Sequence, residues 1–413
     1  MSTLSPNSRP GCNRSNKLAR MRAVGYWGLV AAGEPFRLLF PLGAAIGIFG
    51  VLLWPLYVWK VIDIYPGQLH ARIMIEGFLA CFVIGFLGTA LPRLLGVPRM
   101  TIWETLGFAS GLLGITFLHY TEQSFLGDQV FFFTLTVLVI GLLVRWIFRT
   151  DTPPPAFVLV GMGILLALVG SATLVISSIS LANASEWSQP IGKLFLYQGF
   201  LLLPAMGIGA FLLPRFFGLP NRQSFPESLS LPDGWQPRAL FAFCCGVAVV
   251  VSFVMEAMGE LALGCGLRAA AFLVYLGKEV PFYKSGWGGG SLATGLRIAL
   301  VSIPLGLILV ALYPADRFSF LHLVFISGFS VLVFTVATRV VLGHSGQANR
   351  FQAKLWSIRV LLALLVLAML TRVSADWMPK IQMSHYGFAA LTWIAGVFVW
   401  AFFILPSVRK ADA

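Results

Sequence analysis

Charged residues are scarce in this sequence. Asp, Glu, Lys and Arg make up 11% of its 413 residues, whereas 58% are hydrophobic and the mean hydropathy is +0.85. Soluble domains carry about 25% charged residues, so a chain this poor in charge is expected in a lipid bilayer. Acidic residues are scarcest, at 16 against 29 basic ones, which leaves a net charge of +13. In a soluble protein that excess would suggest nucleic acid, but membrane topology explains it better.

Several cofactor and enzyme motifs are missing as well. The five cysteines have no metal-site spacing, and no C-x-x-C-H stretch exists for covalent haem attachment. We also find no nucleotide-binding loop, nucleophilic triad, paired catalytic carboxylates or nucleic-acid motif. These absences exclude a soluble-type hydrolase or kinase and argue against a nucleic-acid partner.

Long apolar runs are what the sequence has most of. Runs of about twenty residues are long enough to span a bilayer, and the chain has twelve. They fall at 36–58, 70–91, 101–120, 130–148, 156–180, 194–214, 239–257, 260–276, 295–313, 320–342, 357–371 and 386–406. The sequence therefore predicts an all-α, polytopic membrane protein of about twelve transmembrane helices.

The domain organisation follows from these runs. Residues 1–33 are expected to form a basic cytoplasmic tail that no signal-peptide cleavage site removes. Residues 34–413 are expected to form a single transmembrane domain, in which the proline- and serine-rich loop 221–238 joins the halves 34–220 and 239–413.

The basic residues predict the orientation. With a cytoplasmic amino terminus, 22 of the 29 Lys and Arg residues fall on the cytoplasmic side, and Arg268 lies within a helix. The six on the other side are Lys60, Arg72, Lys193, Arg317, Arg372 and Lys380. This bias matches the positive-inside rule. It predicts that both termini are cytoplasmic.

An internal repeat relates three of the predicted helices. Residues 77–98, GFLACFVIGFLGTALPRLLGVP, resemble 199–220, GFLLLPAMGIGAFLLPRFFGLP, at a constant offset of 122, and 328–343 is a weaker third copy. We predict three four-helix repeats, with helices 2, 6 and 10 around a common interior. The alternative is that glycines and a Pro-Arg stop simply end membrane helices well.

The five histidines divide by depth. His70, His119, His322 and His385 are expected at the outer face, and His344 at the inner face. His322 and His344 are 22 residues apart, about 33 Å along a helix, so they cannot share a metal. Two imidazoles on equivalent helices can hold a haem iron axially, which favours His70 with His322. The alternative is that each is an ordinary interfacial histidine.

The residues after His70 complete the predicted site. Met74 lies one helical turn and Gly77 two turns further on, and a glycine there leaves room for a flat macrocycle or a close helix. Arg72 and Glu76 are four residues apart and are expected to pair with one another, unless Arg72 meets a haem propionate. The predicted cofactor-binding residues are His70, His322, Arg72 and Met74, and His70 and His322 are predicted metal ligands.

Two stretches resemble the NnrS family of bacterial inner-membrane proteins. They are HARIMIEGFLACFVIGFLGTALPRLLGVP, which begins at His70, and HLVFISGFSVLVFTVATRVVLGHSG, which begins at His322. The resemblance implies a non-covalent haem of b type, copper, and a part in the response to nitric oxide. It also implies that His344 is a third metal ligand. Relatives usually read His-Ala-His-Glu-Met at the first stretch, whereas this chain has Arg72 in place of the second histidine. A copper centre that depends on that histidine is therefore doubtful here.

A more distant likeness is to the core subunit of haem–copper oxidases, whose low-spin haem is held by histidines on helices 2 and 10. The predicted helices 6 and 7 lack histidine, so a binuclear reaction centre and enzymatic turnover are not expected. The first functional hypothesis is a haem protein that senses, buffers or relays electrons to a redox partner in nitric oxide stress. The alternatives are a membrane transporter and a cofactor-free assembly partner of a reductase.

Overall fold

Twelve long helices account for most of the chain. The computed structural model describes residues 25–179, 186–225, 229–286 and 289–412, and no strand occurs among them. The helices are α1 (Phe36–Val58), α2 (Gly67–Leu95), α3 (Ile102–Tyr120), α4 (Ser124–Ile147), α5 (Phe157–Ile179), α6 (Ser188–Phe216), α7 (Trp235–Ala257), α8 (Leu261–Glu279), α9 (Gly290–Leu312), α10 (Pro314–Gly343), α11 (Trp356–Ala375) and α12 (Gln382–Arg409). Each lies at a predicted position, which confirms the polytopic all-α fold.

Eleven of the twelve helices are long and apolar enough to cross a membrane. The exception is α3, which contains Glu104 and His119.

A capping box stabilises the start of α3. The Thr101 hydroxyl accepts a hydrogen bond from the Glu104 backbone N–H at 3.2 Å, and the Glu104 carboxylate accepts one from the Thr101 backbone N–H at 2.7 Å.

Part of the predicted tail folds onto the bundle. A short helix, Tyr26–Ala31, precedes α1, and the Tyr26 hydroxyl donates to the Arg37 carbonyl at 3.0 Å. Residues 1–24 of the predicted tail and 226–228 of the predicted 221–238 loop lie outside the described residues.

The three helices of the predicted repeat share an unusual backbone feature. Each contains a π-helical segment, at Ile73–Leu79 in α2, Phe195–Gly199 in α6 and Leu323–Ser330 in α10. π-Helical segments are rare in proteins, and those that occur often lie at functional sites. The repeat thus extends from sequence similarity to a shared backbone irregularity.

Helices α2, α6 and α10 surround a common apolar interior, as the repeat predicted. A narrow cavity of about 90 Å³ lies between them, with walls that include Phe82, Pro204 and Val333. Nearby, the Phe334 ring packs against Phe82 at 5.6 Å and against Trp400 of α12 at 4.9 Å between ring centroids. Aromatic pairs of this kind add to the energy of burial and hold α2, α10 and α12 together in mid-bundle.

Two ends of the bundle carry its polar groups. The end at which α2 begins is called the His70 end, and the end at which α10 finishes is called the His344 end. At the His70 end, α1 contacts α2 and α12 through Gly50 and Trp54. At the His344 end, Arg37 of α1 bonds to the carbonyls of His344, Val408 and Lys410, which ties α1 to α10 and α12.

Candidate functional site at the His70 end

His70 is oriented by the backbone of α1. Its Nδ1 lies 3.0 Å from the Gly50 carbonyl oxygen, and its ring meets the Trp54 ring at 6.1 Å between centroids. The absence of a side chain at Gly50 permits this approach, because an added Cβ would lie 2.8 Å from Ile73 and 3.3 Å from the Met74 sulfur. Met74 therefore faces the same stretch of α1 as His70.

His322 is oriented in the same manner by its own helix. Its Nδ1 lies 2.6 Å from the Phe318 carbonyl oxygen, one turn earlier. A carbonyl oxygen only accepts, so in both histidines Nδ1 carries the proton and Nε2 keeps its lone pair. Neither Nε2 has a hydrogen bond to any residue that the structure describes.

The two imidazoles share one cationic neighbour. They lie within electrostatic range of one another, and the Arg372 guanidinium of α11 lies within range of both. Arg372 packs over the Tyr386 ring at 4.1 Å and pairs with Asp376 at 3.3 Å. The predicted residues His70 and His322 thus lie near one another at the His70 end, and their joint role in one site stays a prediction.

Asp376 holds Arg372 in place from the loop between α11 and α12. Burial alone would raise the pKa of Asp376, but hydrogen bonds from Ser319, Tyr386 and Gln382, together with the charge of Arg372, lower that pKa to about 2. The carboxylate therefore stays ionised at physiological pH, and the Arg372 side chain keeps a charged partner beside the two histidines.

The predicted pairing of Arg72 with Glu76 is wrong. Arg72 bonds instead to Asp128 of α4 at 2.9 Å, and Glu76 contacts His119 of α3 at 3.0 Å. The π segment begins at Ile73 and changes the helical phase between positions 72 and 76, so the four-residue spacing of an α-helix does not apply. Arg372 is the cation within electrostatic range of both histidines, and the predicted role of Arg72 in cofactor binding stays a prediction.

Gly77 serves close helix packing, the second of its two predicted roles. An added Cβ would lie 2.7 Å from Ile46 of α1 and 3.0 Å from the Thr116 hydroxyl of α3. The space that this glycine leaves is filled by neighbouring helices and is not open to a macrocycle.

A second polar cluster at the His70 end escaped prediction. Glu76, His119 and Asp128 are all buried, and one ligand atom from each lies within 4.8 Å of the others. The sequence held one signal of it, because His119 and Asp128 flank the short connection between two apolar helices. Nothing in the sequence links them to Glu76.

His344 lies at the opposite end of the bundle, as its depth predicted. Its Nδ1 lies 2.8 Å from Glu34 and its Nε2 lies 3.0 Å from Arg93. Burial alone would raise the pKa of Glu34, but the hydrogen bonds and charges of His344 and Arg37 lower it. With both ring nitrogens engaged, His344 links α10 to the start of α1 and the end of α2, and its assignment as a metal ligand stays a prediction.

The fold and this site define a class of protein. It is a polytopic membrane protein whose repeated four-helix groups place two oriented imidazoles at one end. The sequence model of the NnrS protein family matches residues 31–411, nearly the whole chain. The chain belongs to the NnrS family, which confirms the family that its two histidine stretches indicated. A comparison with curated proteins gives no match.

Proposed function

We propose that this protein binds a non-covalent haem through His70 and His322 and acts in the response to nitric oxide, as a sensor, buffer or electron relay. The observation that carries the proposal is the matched state of the two imidazoles. Each uses Nδ1 to bond a backbone carbonyl and leaves Nε2 without a hydrogen bond to any described residue. An iron-ligating histidine typically has this arrangement, because the carbonyl fixes the tautomer and the ring orientation.

The donor set fits a haem. The His70 and His322 imidazoles would supply nitrogen ligands, and Met74 and Trp54 would supply apolar contact beside His70. Arg372 would supply a cation for a propionate carboxylate. A bound haem would supply one-electron chemistry and an iron with affinity for nitric oxide. Ligation by two protein side chains favours electron relay or sensing by ligand exchange over rapid turnover.

The orientation in the membrane is part of the proposal. Arg37, Arg93, Arg99 and Arg145 lie toward the His344 end, and a surplus of basic residues marks the cytoplasmic side. The protein would then be an inner-membrane protein with cytoplasmic termini, and its histidine pair would lie near the outer face, within reach of an external redox partner.

Alanine substitutions of the two histidines test the proposal. The wild-type protein, expressed with ample haem and purified in detergent, is expected to retain about one haem per chain. His70→Ala and His322→Ala are each expected to lose most of it or to change its reduced-minus-oxidised spectrum, because one axial nitrogen is gone.

His385→Ala is the matched control, since His385 lies on α12 near the same end and its Nδ1 also contacts a backbone carbonyl, that of Ile381, at 3.2 Å. It is expected to keep the wild-type spectrum. Folded wild-type protein without a Soret band, or the wild-type haem content and spectrum in all three variants, would refute the proposal.

A further inference from the structure

We propose that Glu76, His119 and Asp128 bind one divalent ion of a first-row transition metal, such as Zn²⁺ or Mn²⁺. One imidazole nitrogen and the oxygens of two carboxylates would coordinate the ion. The three residues come from three helices, α2, α3 and α4, and lie apart from the histidine pair. Their exposed fractions are 0%, 1% and 2%. Their ligand atoms already lie within 4.8 Å of one another, so short side-chain movements would bring them to metal-bonding distance.

Each of the three side chains has one atom without a partner. Glu76 Oε1, His119 Nδ1 and Asp128 Oδ1 are buried and bond to none of the described residues. The remaining polar atoms are used: His119 Nε2 contacts Glu76 Oε2 at 3.0 Å, and Asp128 Oδ2 accepts from Arg72 at 2.9 Å. Buried polar atoms are rarely left without a partner, because each such atom costs free energy. Three such atoms in one buried cluster support the binding of a ligand by these side chains.

The charge of the cluster favours a cation. Two carboxylates are buried here, and the Arg72 guanidinium bonds to only one of them, from a position where 19% of its side chain is exposed. Arg72 holds Asp128 from outside the cluster, as groups around a metal hold its carboxylate ligands. A divalent ion at the centre would balance the two carboxylates.

The second repeat shows what fills the corresponding space there. Gln198 lies 122 residues after Glu76, in the π segment of α6. It accepts from the Arg268 guanidinium at 2.6 Å, and that guanidinium also bonds to Glu256 at 2.6 Å and Ser252 at 3.1 Å. Arg268 is fully buried. The second repeat thus carries a fully buried cation, whereas the first repeat has a carboxylate in place of the amide, and its cation, Arg72, is partly exposed and bonds to Asp128 but not to Glu76.

The ligand chemistry limits the metal. One imidazole and two carboxylates suit Zn²⁺, Mn²⁺ or Fe²⁺, whereas Cu⁺ prefers thiolate or thioether sulfur, and no sulfur atom belongs to this group. The site therefore differs in chemistry from a haem site and from a soft copper site.

Manganese titration tests the proposal without interference from haem. Purified protein is treated with a chelator and titrated with Mn²⁺, and the free ion is followed by its electron paramagnetic resonance signal. One Mn²⁺ per chain is expected, displaceable by Zn²⁺, which binds such sites more tightly. Glu76→Gln and Asp128→Asn are each expected to weaken binding by about 100-fold, at the upper end of what is seen when a metal site loses a supporting group.

Glu256→Gln is the matched control, because it alters a buried carboxylate in the second repeat whose oxygens bond to arginines; it should leave Mn²⁺ binding unchanged. The haem proposal and the metal proposal can be tested independently. The His70→Ala variant should still bind Mn²⁺, and the Glu76→Gln variant should still bind haem. Wild-type protein that takes up neither Mn²⁺ nor Zn²⁺ stoichiometrically would overturn the metal site, even if the variants do not fold.

Discussion

Arg268→Ala is expected to lower the free energy of unfolding by about 3–5 kcal/mol, the usual cost of removing one partner from a buried ion pair. The guanidinium is fully buried, bonds to Glu256 and Gln198 at 2.6 Å each and packs over the Phe253 ring at 4.2 Å. Alanine would leave the Gln198 amide oxygen and the Oε2 atom of Glu256 buried without the guanidinium, and both would keep their desolvation cost. Unfolding in mixed detergent micelles, followed by tryptophan fluorescence, measures the change.

Arg317→Ala is the control for that experiment. Arg317 bonds to the other oxygen of Glu256 at 2.5 Å, but 35% of its side chain is exposed. Exposed pairs contribute about 1 kcal/mol or less, so this variant should lose much less stability. Equal losses of stability in the two variants would show that burial of an arginine does not determine how much its ion pair with Glu256 contributes.

Arg37→Ala is expected to cost a similar amount, about 3–5 kcal/mol, at the His344 end. The Arg37 side chain is 1% exposed, pairs with Glu34 at 2.6 Å and donates to the carbonyls of His344 and Lys410 at 2.8 and 2.9 Å. Its loss would separate the start of α1 from the ends of α10 and α12. Faster proteolysis near the carboxyl terminus, together with a lower unfolding midpoint, would report that separation.

Arg93→Ala is the matched comparison for Arg37→Ala. Arg93 bonds to the same Glu34 carboxylate at 2.9 Å, yet 45% of its side chain is exposed. We expect it to change stability by about 1 kcal/mol or less. An Arg37→Ala protein as stable as Arg93→Ala would contradict the structural role assigned to this cluster.

Hydropathy was sufficient to predict the helices. The predicted run 36–58 coincides with Phe36–Val58, and all twelve runs lie on helices. Three helices, α4, α6 and α10, begin six residues before their predicted runs, at Ser124, Ser188 and Pro314. In α6 the first turn, SQPIGK, is too polar to extend an apolar run. Whether a segment enters the membrane depends on the summed hydropathy of its consecutive residues, so the sequence alone predicts it well.

Side-chain partners were not predictable to the same degree. Arg72 and Glu76 seemed natural partners at α-helical spacing, but each contacts a different helix because a π segment separates them. His344 bonds to Glu34 and Arg93, which are 310 and 251 residues away. Such contacts depend on how helices pack, and no local pattern encodes that. The repeat was the exception, because it placed His70 and His322 on equivalent helices.

The central claim is that His70 and His322 hold one haem between them. Electron paramagnetic resonance of the oxidised wild-type protein tests it most directly, with His70→Ala and His322→Ala measured beside it. The account predicts a low-spin ferric haem with two imidazole ligands in the wild type, and its loss or conversion to a high-spin form in each variant. A high-spin haem in the wild type, or a low-spin signal that survives in both variants, would contradict it.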